Sequence, residues 1–234
     1  MDDDAFDTAL IGAAFRLAGE RGWSRVSVAA AARAAGLDLA RARLRFPGEG
    51  TLLLKFGRMA DRAALVTVQG AAEATLRDRL FELLMRRFDV LQEHRPGVEA
   101  LLRALPSLPD LALLLTRATE RSMGWMLDAA EAESDPGAQE ARHGAWRRLR
   151  TKGLLGVWLW ATRAWMRDGS EDLAATMAAL DAALTRAEQV ARLCDRGGRM
   201  RAMPDADTPP PDASPPHPTP TEGETHGDQP ETPA

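Results

Sequence analysis

Apolar residues return at helical spacing from the first residues of the chain onward. Phe6 and Leu10 lie on one face of a helix, and Asp3 and Asp4 stand where their carboxylates can cap its first turn. Gly22 supplies the left-handed stop that commonly ends a helix. The pattern predicts an amphipathic first helix that ends just before this glycine.

The next stretch alternates short helical runs with strong helix stops. Ser27 is placed to cap a short Ala-rich helix over 28–35, and Gly36 breaks that helix. Asp38 is placed to cap a third helix, which closes before Phe46-Pro47-Gly48. Two short helices joined by a glycine turn are typical of a helix–turn–helix.

Longer amphipathic helices follow over most of the remaining chain. Their approximate ranges are 51–70, 76–91, 98–105, 111–128, 138–167 and 173–187, with a loop over 131–137. Regular structure is expected to end near Gly197 and Gly198. The chain is therefore predicted to be all-α. Its predicted parts are a helix–turn–helix domain over 1–50, a helical ligand-binding and dimerisation domain over 51–198, and a tail over 199–234.

The charge of the chain is divided unevenly between its body and its tail. The net charge is -4, but the residues from Pro204 onward carry seven acidic side chains and no Lys or Arg, which leaves the body at +3. A body this close to neutral lacks the footprint of a protein that binds nucleic acid by bulk charge. Ten of the fifteen prolines lie in the same polar tail, which is therefore predicted to be disordered.

Catalytic chemistry has little support in the sequence. The histidines His94, His143, His217 and His226 are not spaced with carboxylates as a metal site requires, and the single Cys194 excludes a cysteine zinc site. No Gly-rich phosphate loop or Ser/His/Asp context occurs. We therefore expect no enzyme activity, no cofactor and no metal.

The sequence also indicates a compartment. The chain begins with acidic residues, whereas signal and transit peptides begin with basic ones. The longest apolar stretch, 153–166, contains Arg163 and is shorter than the ~20 residues that span a bilayer. A lone cysteine fits a reducing compartment. We expect a soluble, cytoplasmic protein.

The segment over 27–52, SVAAAARAAGLDLARARLRFPGEGTL, resembles the helix–turn–helix of the tetracycline repressor family. The matching positions are Ser27, Ala32, Ala35, Gly36, Leu37, Phe46 and Leu52. These matches are architectural, since small residues let two helices pack closely and the glycine makes the turn. The resemblance implies a tetracycline-repressor-like fold.

The positions at which that family contacts DNA carry different residues here. Late in the recognition helix, where the family places aromatic residues and histidine, this chain has Arg43 and Leu44. Glu49 stands where the family has a phosphate-contacting lysine, and a carboxylate repels the DNA backbone. Arg41, Arg43 and Arg45 can still reach phosphates or guanine, or they can form a solvated helix face.

A second family shares this fold and resembles the chain over most of its body: the coenzyme Q (ubiquinone) biosynthesis accessory proteins, which bind lipid. The similar strings are 35–38, 45–48, 77–81, 85–89, 121–126, 165–173 and 176–181. The most specific is WMRDGSEDL at 165–173. Eukaryotic relatives end in an amphipathic membrane-touching helix, whereas this chain has a short basic stretch over 192–203 and then the acidic tail.

This second resemblance implies a non-catalytic protein that binds an isoprenoid or quinone lipid. It would present a hydrophobic intermediate to the hydroxylase that acts on demethoxyubiquinone, with Trp146 and Arg147 as the partner-docking residues. It would act as a homodimer that visits the inner face of the membrane transiently, and nucleic acid would not be a partner.

The residues themselves also favour an enclosed apolar site. The predicted helices over 111–127 and 153–166 are apolar over several faces, so they must be buried in a core or line a cavity or a subunit interface. The candidate lipid-binding residues are Leu114, Met123, Trp125, Met126, Leu155, Val157, Trp158, Trp160 and Trp165.

Three hypotheses about function follow. The first is the lipid-binding accessory protein for ubiquinone biosynthesis. The second is a ligand-responsive DNA-binding repressor of the tetracycline-repressor type, with Arg41, Arg43 and Arg45 on DNA. The third is a structural dimer without a ligand. The chemistry of the recognition helix favours the first hypothesis, and salt-sensitive binding to a duplex would favour the second.

Overall fold

Helices make up the regular structure of this computed structural model, which describes residues 1–66, 74–132 and 144–201. The α-helices in these ranges are α1 (Asp3–Arg21), α2 (Val28–Ala34), α3 (Leu39–Arg45), α4 (Glu49–Leu65), α5 (Leu76–Glu93), α6 (Arg95–Ala104), α7 (Pro109–Ala132), α8 (Ala145–Trp165) and α9 (Ala174–Arg201). Short 3-10 turns cover Trp23–Arg25 and Leu105–Ser107. The described ranges contain no strand, so the all-α prediction is confirmed.

Some sequence predictions fall outside these ranges. These are the predicted end of the fourth helix near 70, most of the predicted loop over 131–137, the predicted start of a helix at 138, and the predicted disordered tail over 199–234 except for its first three residues. Residues Met1–Cys194 pack together as one compact unit. The division of this unit into two domains at residue 50 stays a prediction.

The caps of α2 and α3 agree with the sequence prediction. The Ser27 hydroxyl accepts a hydrogen bond from the Ala30 amide at 3.1 Å, and an Asp38 carboxylate oxygen accepts one from the Arg41 amide at 2.7 Å. Gly36, between the two helices, has φ +65°, a left-handed conformation that glycine adopts without strain. The predicted helix–turn–helix is confirmed.

The cap of α1 differs from the prediction. Asp2, and not Asp3 or Asp4, precedes the helix and accepts a hydrogen bond from the Ala5 amide at 2.7 Å. Asp3 and Asp4 instead occupy the first turn, where their negative charges complement the positive end of the helix dipole.

Two helix boundaries in the body also differ from the prediction. The segment 94–97 was expected to separate two helices, but α6 already begins at Arg95. Pro96 lies in the first turn, where its missing N–H forfeits no helical hydrogen bond. At the other end of the chain, α9 runs through Gly197 and Gly198 to Arg201, because a glycine weakens a helix by only about 1 kcal/mol.

A continuous apolar core joins the helix–turn–helix to the body. The rings of Phe88 on α5 and Trp158 on α8 stack with centroids 4.4 Å apart, and Trp165 lies next to Phe88 at 6.4 Å. At the other side, α6 crosses α1 so closely that a Cβ on Gly97 would lie 2.2 Å from the Phe15 carbonyl oxygen. The contact between α1 and α6 therefore requires glycine at this position.

Candidate functional site

A cavity of about 990 Å³ lies among α4, α5, α6, α7 and α8. This volume is at the upper end of the range that small-molecule sites occupy. Its apolar wall includes Leu53, Phe56, Leu101, Leu115, Leu155 and Trp158. The sequence predicted walls from the segments of α7 and α8 only. The contributions of α4 and α6 were missed, because ordinary amphipathic helices give no sign that they face a cavity rather than a filled core.

A buried charged cluster forms one side of this cavity. Arg87 on α5 donates through Nη1 to a carboxylate oxygen of Asp61 on α4, and the Ser122 hydroxyl on α7 donates to the other oxygen at 2.5 Å. The guanidinium carbon of Arg87 lies 5.0 Å from the ring centroid of Trp158 on α8. Four helices thus hold one arginine in place.

Arg87 remains a cation although it is buried. Burial lowers the pKa of Arg87 to about 10, so the side chain is still protonated at neutral pH. Its Nε has no hydrogen-bond partner among the described residues. Sequence reasoning missed this residue, although an arginine on the apolar face of α5, next to Phe88, is a recognisable signal of a buried charge.

Four further arginines line the cavity as one pair on α4 and one pair on α7. Arg58 and Arg62 lie one turn apart on α4, and Arg117 and Arg121 lie one turn apart on α7. All four side chains are exposed. Among the described lining residues, Asp61 is the single carboxylate. The described lining therefore carries more positive than negative charge, although Arg62 also pairs with Asp4 on α1 at 3.3 Å.

The nine predicted lipid-binding residues occupy three different environments. Those that line the cavity are Leu114, Trp125, Leu155 and Trp158. Those buried in the core away from the described cavity wall are Met123, Met126, Val157 and Trp165. The Trp160 side chain is 54% exposed. The role of these residues in lipid binding stays a prediction.

The predicted partner-docking residues lie at the start of α8. Trp146 is half-buried. Arg147 donates from Nε to a carboxylate oxygen of Asp128 on α7 at 3.2 Å, and this hydrogen bonding raises the pKa of Arg147. The guanidinium of Arg147 therefore ties α8 to α7. The docking role of both residues stays a prediction.

One face of α8 is apolar and exposed. Leu149 and Trp160 are both more than half exposed, and Gly153 and Gly156 lie between them on the same face. A Cβ added to either glycine would meet no atom within 4 Å. The face, which we call the α8 stripe (Leu149, Gly153, Gly156 and Trp160), is therefore open to close approach by another helix.

The arginines of the recognition helix α3 are largely paired with α1. Arg41 contacts Asp3 at 2.6 Å, and Arg45 contacts both Asp3 at 2.5 Å and Asp7 at 2.6 Å. Lys55 on α4 also contacts Asp7, at 2.6 Å. Burial would raise the pKa of Asp7, but hydrogen bonds from Arg45 and Lys55 outweigh it and lower that pKa.

The outer side of α3 is partly apolar. Arg43 is exposed and donates to the Pro47 carbonyl oxygen. Leu44 is 84% exposed, the highest value among the large apolar side chains of the described residues. The expected solvated face of three free arginines is thus replaced by one exposed arginine, one exposed leucine and two arginines paired with α1.

The helix–turn–helix and the cavity share a helix. On α4, Lys55 pairs with Asp7 of α1, while Phe56 and Asp61 line the cavity. On α6, Val98 lines the cavity one residue after the glycine that packs against α1. The cavity wall and the helix–turn–helix are therefore connected through α4 and α6.

The string over 165–173, the most specific of the strings shared with the coenzyme Q family, has a structural role here. The Asp168 carboxylate is buried and accepts hydrogen bonds from the amides of Ser170 at 3.1 Å and Thr176 at 2.7 Å. Arg95 at the start of α6 donates to the Trp165 carbonyl at 2.8 Å. Through Trp165, Asp168 and Ser170 the string builds the corner between α8 and α9.

Two other kinds of site are absent from the described residues. No group of His, Cys, Asp and Glu side chains in this part of the chain could hold a metal ion. Within the same ranges, no helix combines the length and apolarity needed to cross a bilayer.

Comparison with solved structures identifies the fold. A TetR transcriptional regulator from Nitrosomonas europaea ATCC 19718 superposes with a TM-score of 0.62 at 22% identity, over 80% of this chain and 99% of that one. A putative TetR family transcription regulator from Shewanella sp. PV-4 gives a TM-score of 0.52 at 17% identity, over 76% and 95% of the two chains. No protein-family model and no curated protein sequence matches the chain.

The chain therefore has the all-α fold of the tetracycline repressor class, as the sequence predicted. Both solved structures are described as transcriptional regulators. At these levels of identity the likeness extends to the fold, and membership of the coenzyme Q accessory family is not confirmed.

Proposed function

We propose that this chain is a ligand-responsive DNA-binding regulator of the tetracycline-repressor type. The observation that carries the proposal is the continuity of α4, which pairs with α1 through Lys55 and lines the cavity through Phe56 and Asp61. A ligand in the cavity would contact the helix on which the helix–turn–helix rests. Binding of that ligand would change the orientation of α3.

The proposal requires a dimer, because two helix–turn–helix units read two half-sites of a duplex. The α8 stripe supports a dimer of this chain with a second copy. Its two glycines allow the backbones of paired helices to approach closely, and its two large apolar side chains would leave water on association.

The DNA test selects genomic fragments with the purified full chain and sequences those retained at physiological salt. We expect enrichment of a two-fold symmetric sequence, with binding that weakens steeply as salt rises. Arg43→Glu on the exposed side of α3 should abolish the enrichment. Arg167→Glu makes the same charge change at an exposed position after α8 and should leave it intact. Failure to enrich any sequence, or an Arg43→Glu variant that selects as well as the wild type, would overturn the proposal.

A second candidate is the lipid-binding accessory protein for ubiquinone biosynthesis. The pairing of Arg41 and Arg45 with Asp3 and Asp7 favours it, since carboxylates of α1 then lie beside the helix that would face DNA phosphates. In this function the apolar cavity would hold an isoprenoid or quinone lipid for delivery to the hydroxylase partner.

The lipid test is native mass spectrometry of protein purified from its host, with extraction of bound lipid. Ala118→Trp fills the cavity without burying a new charge, and Leu113→Trp places the same ring at an exposed position of α7 outside the described wall. A quinone or isoprenoid that is lost only in the Ala118→Trp variant would favour the lipid carrier. Enrichment of DNA by a lipid-free dimer would exclude it.

A further inference from the structure

The cavity contains a buried cation whose hydrogen-bonding capacity is only partly used. We propose that the ligand of this cavity is an amphipathic carboxylate, with its headgroup on Arg87 and its apolar tail along the leucine wall. The inference rests on the proposed function in one respect, namely that the cavity binds a small molecule.

The first argument is the unused donor. Arg87 is 6% exposed, its Nη1 is engaged by Asp61, and its Nε finds no acceptor among the described residues. Buried donors in folded proteins nearly always have a partner, and one without a partner destabilises the fold. Nε itself is closed off from solvent, so a ligand oxygen in the cavity would bond the other free donor, Nη2, which makes no hydrogen bond to a described residue.

The second argument is the rigidity of the cluster. Asp61 uses one oxygen for Arg87 and the other for Ser122, and the ring of Trp158 lies near the guanidinium. The guanidinium is thereby held in one orientation before any ligand arrives, and its planar donors match the two oxygens of a carboxylate. Replacing a buried ion pair by apolar residues of similar volume often costs a protein no stability, which favours a role for this pair beyond stability.

The third argument is the sign of the charge around the cavity. Its described lining includes five arginines and one carboxylate, and that carboxylate is already paired with Arg87. The exposed pairs Arg58/Arg62 and Arg117/Arg121 add positive potential, which raises the encounter rate for anions. A cationic ligand would meet repulsion from the same groups.

The fourth argument is the shape of the remaining wall. Leu53, Leu101, Leu115 and Leu155 line the same cavity as the charged cluster. A volume of about 990 Å³ is far larger than a headgroup alone needs. A ligand that lies along this leucine wall would therefore carry a large apolar part beside its headgroup.

The test compares three probes with one tail on the full-length protein. Dodecanoate, dodecan-1-ol and dodecyltrimethylammonium are titrated below their aggregation concentrations at pH 7.5, with tryptophan fluorescence and calorimetry as readouts. We expect dodecanoate to bind at least about ten-fold more tightly than dodecanol, as charge-assisted hydrogen bonds imply, and the ammonium probe to bind most weakly.

The decisive variant is the double substitution Arg87→Met/Asp61→Asn. Removing both charges avoids leaving the Asp61 carboxylate buried and unpaired. This variant should bind dodecanoate and dodecanol within about two-fold of each other, since the charge-assisted hydrogen bond is gone. The control Arg117→Gln/Arg121→Gln removes two exposed arginines. It should keep the preference for dodecanoate at ~0.5 M salt, where exposed charges are screened.

The outcomes separate this inference from the proposed function. Equal affinity of the wild type for dodecanoate and dodecanol would overturn the carboxylate assignment and leave a neutral apolar ligand for the regulator. This comparison needs no variant, so it decides even if the double substitution does not fold. Binding of no probe, together with successful DNA selection, would overturn the inference alone, whereas failure of both measurements would overturn the proposed function as well.

Discussion

The corner between α8 and α9 offers a stringent test of the energetics, because one buried carboxylate accepts four hydrogen bonds within it. Asp168 is 4% exposed and accepts hydrogen bonds from the amide and hydroxyl of Ser170 and from the amide and hydroxyl of Thr176. Burial would raise the pKa of Asp168, but these hydrogen bonds outweigh it and hold that pKa far below its usual range. The perturbation is Asp168→Asn.

The expected cost follows from the number of hydrogen bonds. The amide that replaces the carboxylate keeps one oxygen acceptor but turns an NH₂ group toward two of the four donors. Hydrogen bonds to a charged group contribute about 1.5–3 kcal/mol each, and losses at one site are not additive. We therefore expect Asp168→Asn to lower the free energy of unfolding by roughly 3 kcal/mol at pH 7.

The pH dependence gives an independent check with a defined sign. Because folding depresses the pKa of Asp168, its contribution is complete above the unfolded pKa of about 3.9 and is lost progressively as the pH falls below that value. The difference in unfolding free energy between wild type and Asp168→Asn should therefore be constant from pH 7 to about 5 and shrink below about 4.

Urea denaturation followed by tryptophan fluorescence measures both effects, since Trp165 lies at the same corner. Asp172→Asn is the matched control, because the Asp172 carboxylate accepts a hydrogen bond from the Ala174 amide at 3.2 Å but is exposed. It should cost less than about 1 kcal/mol. A cost below about 1 kcal/mol for Asp168→Asn, or a difference that does not change below pH 4, would refute the reasoning.

Three further predictions concern the rest of the molecule. Gly97→Ala should lower the free energy of unfolding in urea by at least about 2 kcal/mol, because the added Cβ would overlap the backbone of α1. The control Gly57→Ala on α4, where a Cβ has open space, should be neutral or stabilising. Equal changes in unfolding free energy for the two variants would contradict the close contact between α1 and α6. Burial lowers the pKa of His94 in the folded chain. As the pH falls, the unfolded chain therefore takes up a proton before the folded chain does, and the free energy of unfolding should decrease below about pH 6.5. His94→Phe should flatten that part of the stability–pH curve, and an unchanged curve would show that another group is responsible. Trp160→Glu should convert a dimer to a monomer in sedimentation, while Trp125→Glu on α7, where the side chain is also more than half exposed, should not. A dimer that persists in both variants would exclude the α8 stripe as the interface.

Sequence patterns predicted the helices more reliably than they predicted the site. The caps at Ser27 and Asp38 and the stop at Gly36 are local chemistry, so the helix–turn–helix could be recognised from consecutive residues. The cavity instead depends on which face each helix turns inward. Periodicity places Met123 and Trp125 on one helix, but it does not tell that the first is buried in the core and the second borders the cavity.

Two ion pairs, Arg87–Asp61 and Arg45–Asp7, could not be predicted from the sequence for another reason. Each joins residues that are far apart in the sequence and belong to different helices. No spacing rule relates such positions, and the sequence therefore predicted three equivalent arginines on α3. In the structure the paired arginines differ, because Asp3, the partner of Arg41, is exposed, whereas Asp7, which holds Arg45, is mostly buried.

This inequality decides which arginine of α3 is available to a phosphate. The pair Arg41–Asp3 is exposed, with 36% and 63% of the two side chains accessible, and exposed ion pairs contribute little to stability. A DNA phosphate can replace Asp3 at little cost. Arg45 is held by Asp7, which Lys55 also contacts, so its release would leave a mostly buried carboxylate with one partner fewer. Any contact with DNA should therefore come from Arg41 and Arg43, and Arg45 should act as a brace between α3 and α1.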